Sequence, residues 1–169
     1  MDTMEAIFTR RSIRKYTKQE VSDELLKELL EAAMCAPSAS NCQPWCFVVI
    51  KDHKVMDEIP RYHPYSGMLP EASVAVVVCC DLRQQQTIGY GVEDCSAATQ
   101  NLLLAAHAKG LGTVWLGVYP NESRVNGTKN LLNLPEYILP VALISIGYPA
   151  EQRPRQERYM DEKVHYNQW

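Results

Sequence analysis

A cluster of arginines near the start of the chain has the clearest potential for chemistry. Arg10, Arg11 and Arg14 surround a serine hydroxyl, Ser12, within five residues. A guanidinium presents a planar fork of N–H donors that matches the oxygens of a phosphate, and a hydroxyl or a turn amide can add a further donor. The cluster therefore predicts a site for one phosphate group, with a solvated run of charge as the alternative.

The distribution of charge along the chain favours a small anion over a nucleic acid. The 169 residues carry a net charge of −3, yet residues 1–18 hold five basic and two acidic side chains, and residues 153–169 hold four and three. The residues between them hold eight basic and fifteen acidic side chains. A nucleic-acid surface is typically a broad basic stripe, so an acidic body with two basic ends indicates a local anion site and no nucleic-acid partner.

The cysteines and histidines show no spacing that is typical of a metal site. Six cysteines occur without a Cys-x-x-Cys pair, and the four histidines have no paired ligand spacing. A chain of this size and apolar content does not need disulfides, so we interpret the cysteines as reduced thiols. Cys42 lies in a polar loop and is a candidate reactive thiol, with a buried or inert thiol as the simpler interpretation.

Hydropathy indicates a protein without a membrane partner. The apolar run at residues 73–80 is far shorter than the ~18 residues that cross a bilayer. The first five residues also lack the basic start of a signal peptide. We therefore expect a cytoplasmic location.

Apolar periodicity predicts the helices and strands that must position these residues. Thr3 is expected to cap a first short helix, and Ser22 is expected to cap a second helix that stops at Pro37. Further helices are predicted at 54–59, at 92–109 and from Asn121, the last one interrupted by a turn at Asn126-Gly127. Runs rich in β-branched and aromatic residues predict buried strands at 45–50, 73–80, 112–118 and 140–146.

Two irregular segments are candidates for a binding role. Residues 37–44 form a polar loop that leads directly into the first predicted strand. From Ala150 onward the chain has too few aliphatic residues to build a core, yet Tyr166 and Trp169 lie among its last four residues. Aromatic rings are costly to leave in water, so we expect this tail to dock on another surface, such as a second copy of the chain.

Five motifs, in order along the chain, resemble those of the nitroreductase family of flavin mononucleotide (FMN) enzymes. They lie at Arg10–Tyr16, Ala32–Asn41, Gln43–Phe47, Gly110–Gly117 and Ile146–Pro149. The resemblance covers essentially the whole chain and implies an α+β fold, with a central, mainly antiparallel sheet of four strands flanked by helices. It also implies a single domain over 1–169 that forms a homodimer, in which 150–169 is an extended tail that embraces the partner and two FMN molecules lie at the interface.

The resemblance assigns roles to the residues that match the family's motifs. Arg10, Ser12 and Arg14 resemble the phosphate and ribityl contacts, with Arg11 contributing through its main chain. Arg158 resembles a second phosphate contact, which Arg155 could replace or assist. Leu116 and Gly117 resemble the segment under the isoalloxazine ring, where a donor near N5 is expected. The loop that the partner lays against the flavin is expected at Pro37, Ser38, Ala39, Ser40 and Asn41, with Gln43 beside it.

The family's polar contact from the middle of the chain has no clear counterpart between Tyr62 and Met68. No catalytic side chain is predicted, because a flavin carries the hydride at its own N5. The activity implied is a ping-pong cycle in which NADH or NADPH reduces the flavin and leaves, and a nitroaromatic or a quinone then takes its place.

Three alternatives to this activity stay open from the sequence alone. The same scaffold could carry out reductive dehalogenation or flavin fragmentation, although the short stretch at 81–91 favours an open site without an added lid. The protein could instead bind or store FMN without turnover. In a third interpretation, Arg10–Lys15 would bind a nucleic acid, which a steep dependence on salt would reveal.

Overall fold

The computed structural model describes residues 1–169. In chain order the regular elements are α1 (Thr3–Thr9), α2 (Asp23–Met34), β1 (Trp45–Ile50), α3 (His53–Glu58), β2 (Val74–Asp81), α4 (Ile88–Ala108), β3 (Gly112–Gly117), α5 (Glu122–Leu132) and β4 (Ile138–Gly147). Short 3-10 turns occur at 39–41, 59–61, 69–71 and 161–163. None of the helices combines the length and the apolar character needed to cross a bilayer.

The four strands form one antiparallel sheet in the order β1-β2-β4-β3, which confirms the α+β class expected from the sequence. β2 and β4 occupy the centre and are buried along their whole length. Side chains alternate between two apolar clusters, so the neighbours Cys79 and Cys80 point to opposite faces of the sheet. One face packs on α2 and α4, and the other packs on α3, α5 and the segment 59–72.

The caps of the first two helices follow from short polar side chains. The Ser22 hydroxyl accepts a hydrogen bond from the N–H of Leu25 at 3.2 Å, as predicted, and α2 ends at Met34, three residues before Pro37. The prediction that Thr3 caps α1 is wrong. The Asp2 carboxylate accepts from the N–H of Glu5 at 2.9 Å and makes Asp2 the cap, so Thr3 is already helical.

The predicted interruption of the helix after Asn121 is also wrong. Helix α5 runs without interruption through Asn126-Gly127. The ring of Tyr62 lies so close to Gly127 that a Cβ at this position would overlap it. Glycine here allows close helix packing and does not mark a turn. Helix α4 likewise begins at Ile88, four residues before the predicted start, and includes Gly89 and Gly91 in its first turn.

The segment 10–17 is fixed against the sheet by backbone hydrogen bonds and close contacts. The N–H of Ile13 donates to the carbonyl of Thr113 at 2.9 Å, and the N–H of Thr17 donates to Tyr148 at 2.9 Å. A Cβ at Gly112 would lie 2.7 Å from Cγ2 of Ile13. The bare Cα of Gly112 thus lets Ile13, and with it the neighbouring arginines, lie directly on β3.

Residues 150–169 continue as an extended, mostly exposed tail after β4. Its start is held by Arg11, whose Nε donates to the carbonyl of Pro154 at 3.0 Å. Near its end, Tyr166 is 81% exposed and Trp169 is fully exposed. The tail does not bury these rings against its own chain, and its docking on a second copy stays a prediction.

Candidate functional site

A cavity of about 710 Å³ opens at the C-terminal end of β3. Leu116 and Gly117 contribute one wall, Arg14 and Lys15 contribute a second, and residues of the segment 63–68 contribute a third. This volume lies within the range of pockets that hold cofactors and small molecules. The structure therefore brings together Arg14, Leu116 and Gly117, which are distant in the sequence.

The charged side chains that line this cavity are mostly cationic. Arg14, Lys15 and Arg124 face it, with Glu71 as the one carboxylate among the lining residues. The carboxylate of Glu151 accepts a hydrogen bond from the backbone N–H of Arg14 at 2.7 Å, which lowers the pKa of Glu151 and holds the turn at Arg14. The cavity is thus suited to a ligand that carries or develops negative charge.

His63 and Arg124 both hold the main chain at the end of β3. Nε2 of His63 lies 3.0 Å from the carbonyl oxygen of Gly117, and Nη1 of Arg124 donates to the same oxygen at 2.9 Å. Because a carbonyl only accepts, Nε2 of His63 carries the proton and Nδ1 is a bare acceptor, for which the protein offers no partner. Burial lowers the pKa of His63, so the neutral ring is favoured.

Neither His63 nor Arg124 was singled out from the sequence. The segment between Tyr62 and Met68, in which no polar counterpart was expected, supplies His63 to the cavity wall. The only sequence signal for His63 is the lack of a clear match to the family's polar contact in that segment. Nothing in the sequence indicates a role for Arg124, because its contact with Gly117 depends on how α5 packs.

A second cavity of about 260 Å³ lies beside the arginine cluster. Its lining includes Ser12, Arg153 and Arg158. The half-buried Arg10 stands close to Arg11 and Arg158, and its pKa is lowered by burial and by these two positive neighbours. Arg10 and Arg158 have no carboxylate within ion-pair distance, so this group of like charges would be stabilised by an anion.

The other arginines near this cavity are largely committed to the protein. The Arg11 side chain donates to the carbonyls of Phe8 at 2.8 Å and Pro154 at 3.0 Å. Arg153, which was missed from the sequence, pairs with Glu151 at 3.1 Å. Arg155 pairs with Glu157 at 3.4 Å and stacks over the ring of Phe8, outside the cavity lining. Of the two tail arginines considered, Arg158 is the one that faces the cavity.

Within one chain, the loop 37–43 contributes no residue to the lining of either cavity. Ser40, Asn41 and Gln43 adopt left-handed backbone angles, and the carboxylate of Asp94 holds the loop by accepting from the N–H of Ala39 at 2.8 Å. The loop precedes β1 at one edge of the sheet, whereas Ser12 pairs with Thr113 of β3 at the other edge.

Strand register gives the distance between the loop and the arginine cluster. The start of β1 is level with Leu139 of β4, and Ser12 is level with Ile146. Four strand spacings and seven residues separate these two positions, which is about 19 Å across and about 24 Å along the sheet. One chain therefore does not bring Pro37–Gln43 to the arginine cluster.

Comparison with known proteins identifies the family. The model of the family described as "Nitroreductase family" matches residues 7–77 and 61–148, which together span most of the chain. The chain belongs to the nitroreductase family. The family expected from the five sequence motifs is thereby confirmed.

Three nitroreductase relatives cover nearly the whole chain. A protein of Methanothermobacter thermautotrophicus, provisionally named NADH dehydrogenase/NAD(P)H nitroreductase, is 47% identical over 100% of this chain and 88% of its own. A crystal structure from Parabacteroides distasonis with the same provisional name has a TM-score of 0.95 at 39% identity, covering 99% and 98% of the two chains. A provisionally named nitroreductase from Desulfovibrio desulfuricans, solved in complex with FMN, has a TM-score of 0.86 at 34% identity, covering 100% and 99%.

Proposed function

We propose that this nitroreductase-family protein is an FMN-dependent NAD(P)H oxidoreductase that reduces electron-poor acceptors such as nitroaromatics or quinones. The observation that carries the proposal is the position of Ser12 and Arg14. Two residues apart, they line the small cationic cavity and the larger cavity at the end of β3, respectively. A ligand with a phosphate at one end and a planar ring at the other would match this arrangement. The FMN complex of the D. desulfuricans relative supports the same choice of ligand.

The residues at the small cavity fit a phosphate. Arg10 and Arg158 offer charged donors without carboxylate partners, and Ser12 offers a hydroxyl. The repulsion that lowers the pKa of Arg10 would be relieved by a bound dianion. We propose that these three residues hold the phosphate. The Arg11 side chain fixes the arginine segment to the start of the tail by donating to the carbonyls of Phe8 and Pro154, and Arg155 holds the tail against α1 by stacking on the ring of Phe8.

The residues at the large cavity fit a flat, partly apolar ring. Leu116 contributes an apolar surface, and the absence of a side chain at Gly117 allows a ligand to approach the backbone. FMN, when bound, supplies the ability to accept a hydride from NADH or NADPH and to pass it to an acceptor. The chain orients the ring against β3 and places Arg14 and Lys15 where their charge favours electron uptake.

The main chain at the end of β3 is held still for this purpose. With two donors on the carbonyl of Gly117, the peptide that follows it cannot rotate without breaking both hydrogen bonds. The N–H of the same peptide, on Val118, donates to the carbonyl of Val141 at 3.2 Å, so both polar groups of this peptide are held. A site whose polar groups are fixed in advance stabilises developing charge better than one that must reorganise.

We further propose that the working form is a homodimer in the cytoplasm. The opposite placement of the loop 37–43 and the arginine cluster supports a site in which the loop comes from the partner. Exposed apolar side chains support the same assembly, including Met4, Ile7 and Phe8 on α1 and Trp169 in the tail. The six free cysteines suit a reducing compartment.

Spectroscopy of the purified protein tests the proposal directly. We expect a yellow protein whose flavin absorption bleaches under anaerobic conditions on addition of NADH or NADPH, and returns on addition of a nitroaromatic. Initial rates at varied concentrations of both substrates should give parallel lines, as a ping-pong scheme requires.

The unfavourable outcomes are equally distinct. A colourless protein that cannot be reconstituted with FMN would contradict the cofactor. A yellow protein that NAD(P)H does not reduce would indicate storage. Intersecting initial-rate lines would exclude the ping-pong order while leaving the cofactor in place.

A further inference from the structure

Arg124 is a cation of the large cavity whose positive charge the proposed chemistry does not use. Only its Nη1 is committed, to the carbonyl of Gly117 at 2.9 Å, and no carboxylate lies within ion-pair distance of the guanidinium. Its Cζ stands 5.2 Å from the centre of the Tyr65 ring, which also lines the cavity and is 67% exposed. The fork therefore retains N–H donors that can face a ligand.

The carbonyl of Gly117 does not require a charged partner. His63 already donates to it at 3.0 Å from a buried ring, so the acceptor is satisfied without Arg124. A neutral side chain at position 124 would be enough to fill the same space. The permanent charge of Arg124, placed over an aromatic ring at the side of a cavity, instead suits the recognition of an oxyanion.

We propose that Arg124 and Tyr65 form a subsite for an oxyanion group, a carboxylate or a phosphate, carried by a molecule that reacts in this cavity. The inference rests on the proposed function and specifies its substrate class. Two sources share the chemistry: the carboxylate of an anionic aromatic acceptor, and the additional phosphate that distinguishes NADPH from NADH. In either case the guanidinium supplies the donors, and the Tyr65 ring supplies a flat surface for the adjoining group.

A set of three variants isolates the charge of Arg124. Arg124→Gln keeps an N–H donor for the Gly117 carbonyl and removes the charge, while Arg124→Lys keeps the charge and removes the fork. Lys129→Gln is the matched control, because it removes one positive charge from the same helix at a residue that bonds the carbonyl of Glu136 and does not line the cavity.

Three measurements are made on the FMN-loaded protein: binding, turnover and flavin reduction. Binding without turnover is followed by the change in the flavin spectrum during titration with benzoate and with neutral benzamide. Turnover is compared as kcat/KM for 4-nitrobenzoate against 4-nitrobenzamide, and flavin reduction is compared for NADPH against NADH in anaerobic stopped flow.

In one of the pairs, we expect Arg124→Gln to lower binding, flavin reduction or kcat/KM for the member with the additional oxyanion by about 5- to 20-fold relative to the member without it. This is the reduced effect of a charged hydrogen bond at a half-exposed site. Arg124→Lys should recover part of the loss, and Lys129→Gln should behave as wild type. A loss confined to the benzoate pairs assigns the subsite to the acceptor, and a loss confined to NADPH assigns it to the reductant.

The subsite and the proposed function fail in different ways. If wild type is reduced by NAD(P)H but Arg124→Gln leaves the ratio between the two members of every pair unchanged, or lowers both members equally, the subsite is wrong and the function stands. If wild type neither binds FMN nor is reduced by NAD(P)H, both proposals are overturned.

Discussion

Replacing Gly112 with alanine should weaken FMN binding as well as the fold, because this glycine sets how closely the arginine segment approaches β3. A Cβ at position 112 would lie 2.7 Å from Cγ2 and 2.9 Å from Cβ of Ile13. Carbon atoms in favourable contact are about 3.5–4.0 Å apart, so the two backbones must separate by about 1 Å. Ile13 cannot relieve the contact by rotation alone, since its Cβ is fixed to the backbone.

The expected cost has two parts. Overpacking typically costs about 1–3 kcal/mol, of which the lower flexibility of the unfolded chain returns about 0.5–1 kcal/mol, so the free energy of unfolding should fall by about 0.5–2 kcal/mol. Ser12 and Arg14 flank Ile13 and move with it. A charged hydrogen bond of 2.7–2.9 Å does not survive a displacement of about 1 Å, and losing one weakens FMN binding by roughly 10- to 100-fold.

Urea unfolding of the apoprotein and fluorescence titration with FMN measure the two parts separately. Gly89→Ala is the control, because a Cβ at that position, in the first turn of α4, meets nothing within 4 Å. In an Ile13→Ala background, which removes the Cγ contacts, the penalty of Gly112→Ala should shrink. Normal FMN affinity in a destabilised Gly112→Ala protein would refute the link between this contact and the site, and unchanged stability would refute the contact itself.

Three further predictions concern cofactor binding, the loss of stability at acid pH and the dimer. Arg10→Ala should weaken FMN binding by about 1–3 kcal/mol in the same titration while Arg155→Ala has little effect, and equal losses would contradict the assignment of the phosphate site. Burial lowers the pKa of His63, so its contribution to stability is present above the unfolded pKa, near 6.5, and is lost as the pH falls below it. His63→Gln should therefore flatten part of the decline in unfolding free energy between pH 7 and pH 5, and identical slopes would be the contrary result. Deletion of residues 159–169 should convert the dimer to monomer in sedimentation, and a persistent dimer would remove the tail from the interface.

The elements that the sequence predicts well are those specified by local chemistry. Ser22 caps α2 at the expected position, and β1 has the predicted bounds because its β-branched and aromatic run follows a polar loop. The alternation of Cys79 and Cys80 follows directly from the period of a strand. The recognition of the family also depends on local motifs, which is why it needed no knowledge of the packing.

The features that the sequence does not predict are produced by contacts between distant segments. In the sequence, Asn126-Gly127 predicts a turn. In the structure, Gly127 lies inside α5, where the ring of Tyr62 leaves no room for a side chain. His63 and Arg124 are unremarkable in the sequence and acquire a role because both reach the carbonyl of Gly117. Similarly, the sequence does not distinguish Arg155 from Arg158, because both are arginines of the tail. The structure separates them: Arg158 lines the small cavity, and Arg155 lies on the ring of Phe8.

The order β1-β2-β4-β3 has a genetic consequence under the proposed dimer. If the loop 37–43 and the arginine cluster meet only across two copies, a defect in either segment abolishes both sites of a homodimer. A dimer assembled from one copy with a defective loop and one copy with a defective cluster carries both defects in one site and neither in the other. Two inactive alleles would then restore activity when expressed together, although neither protein does so alone.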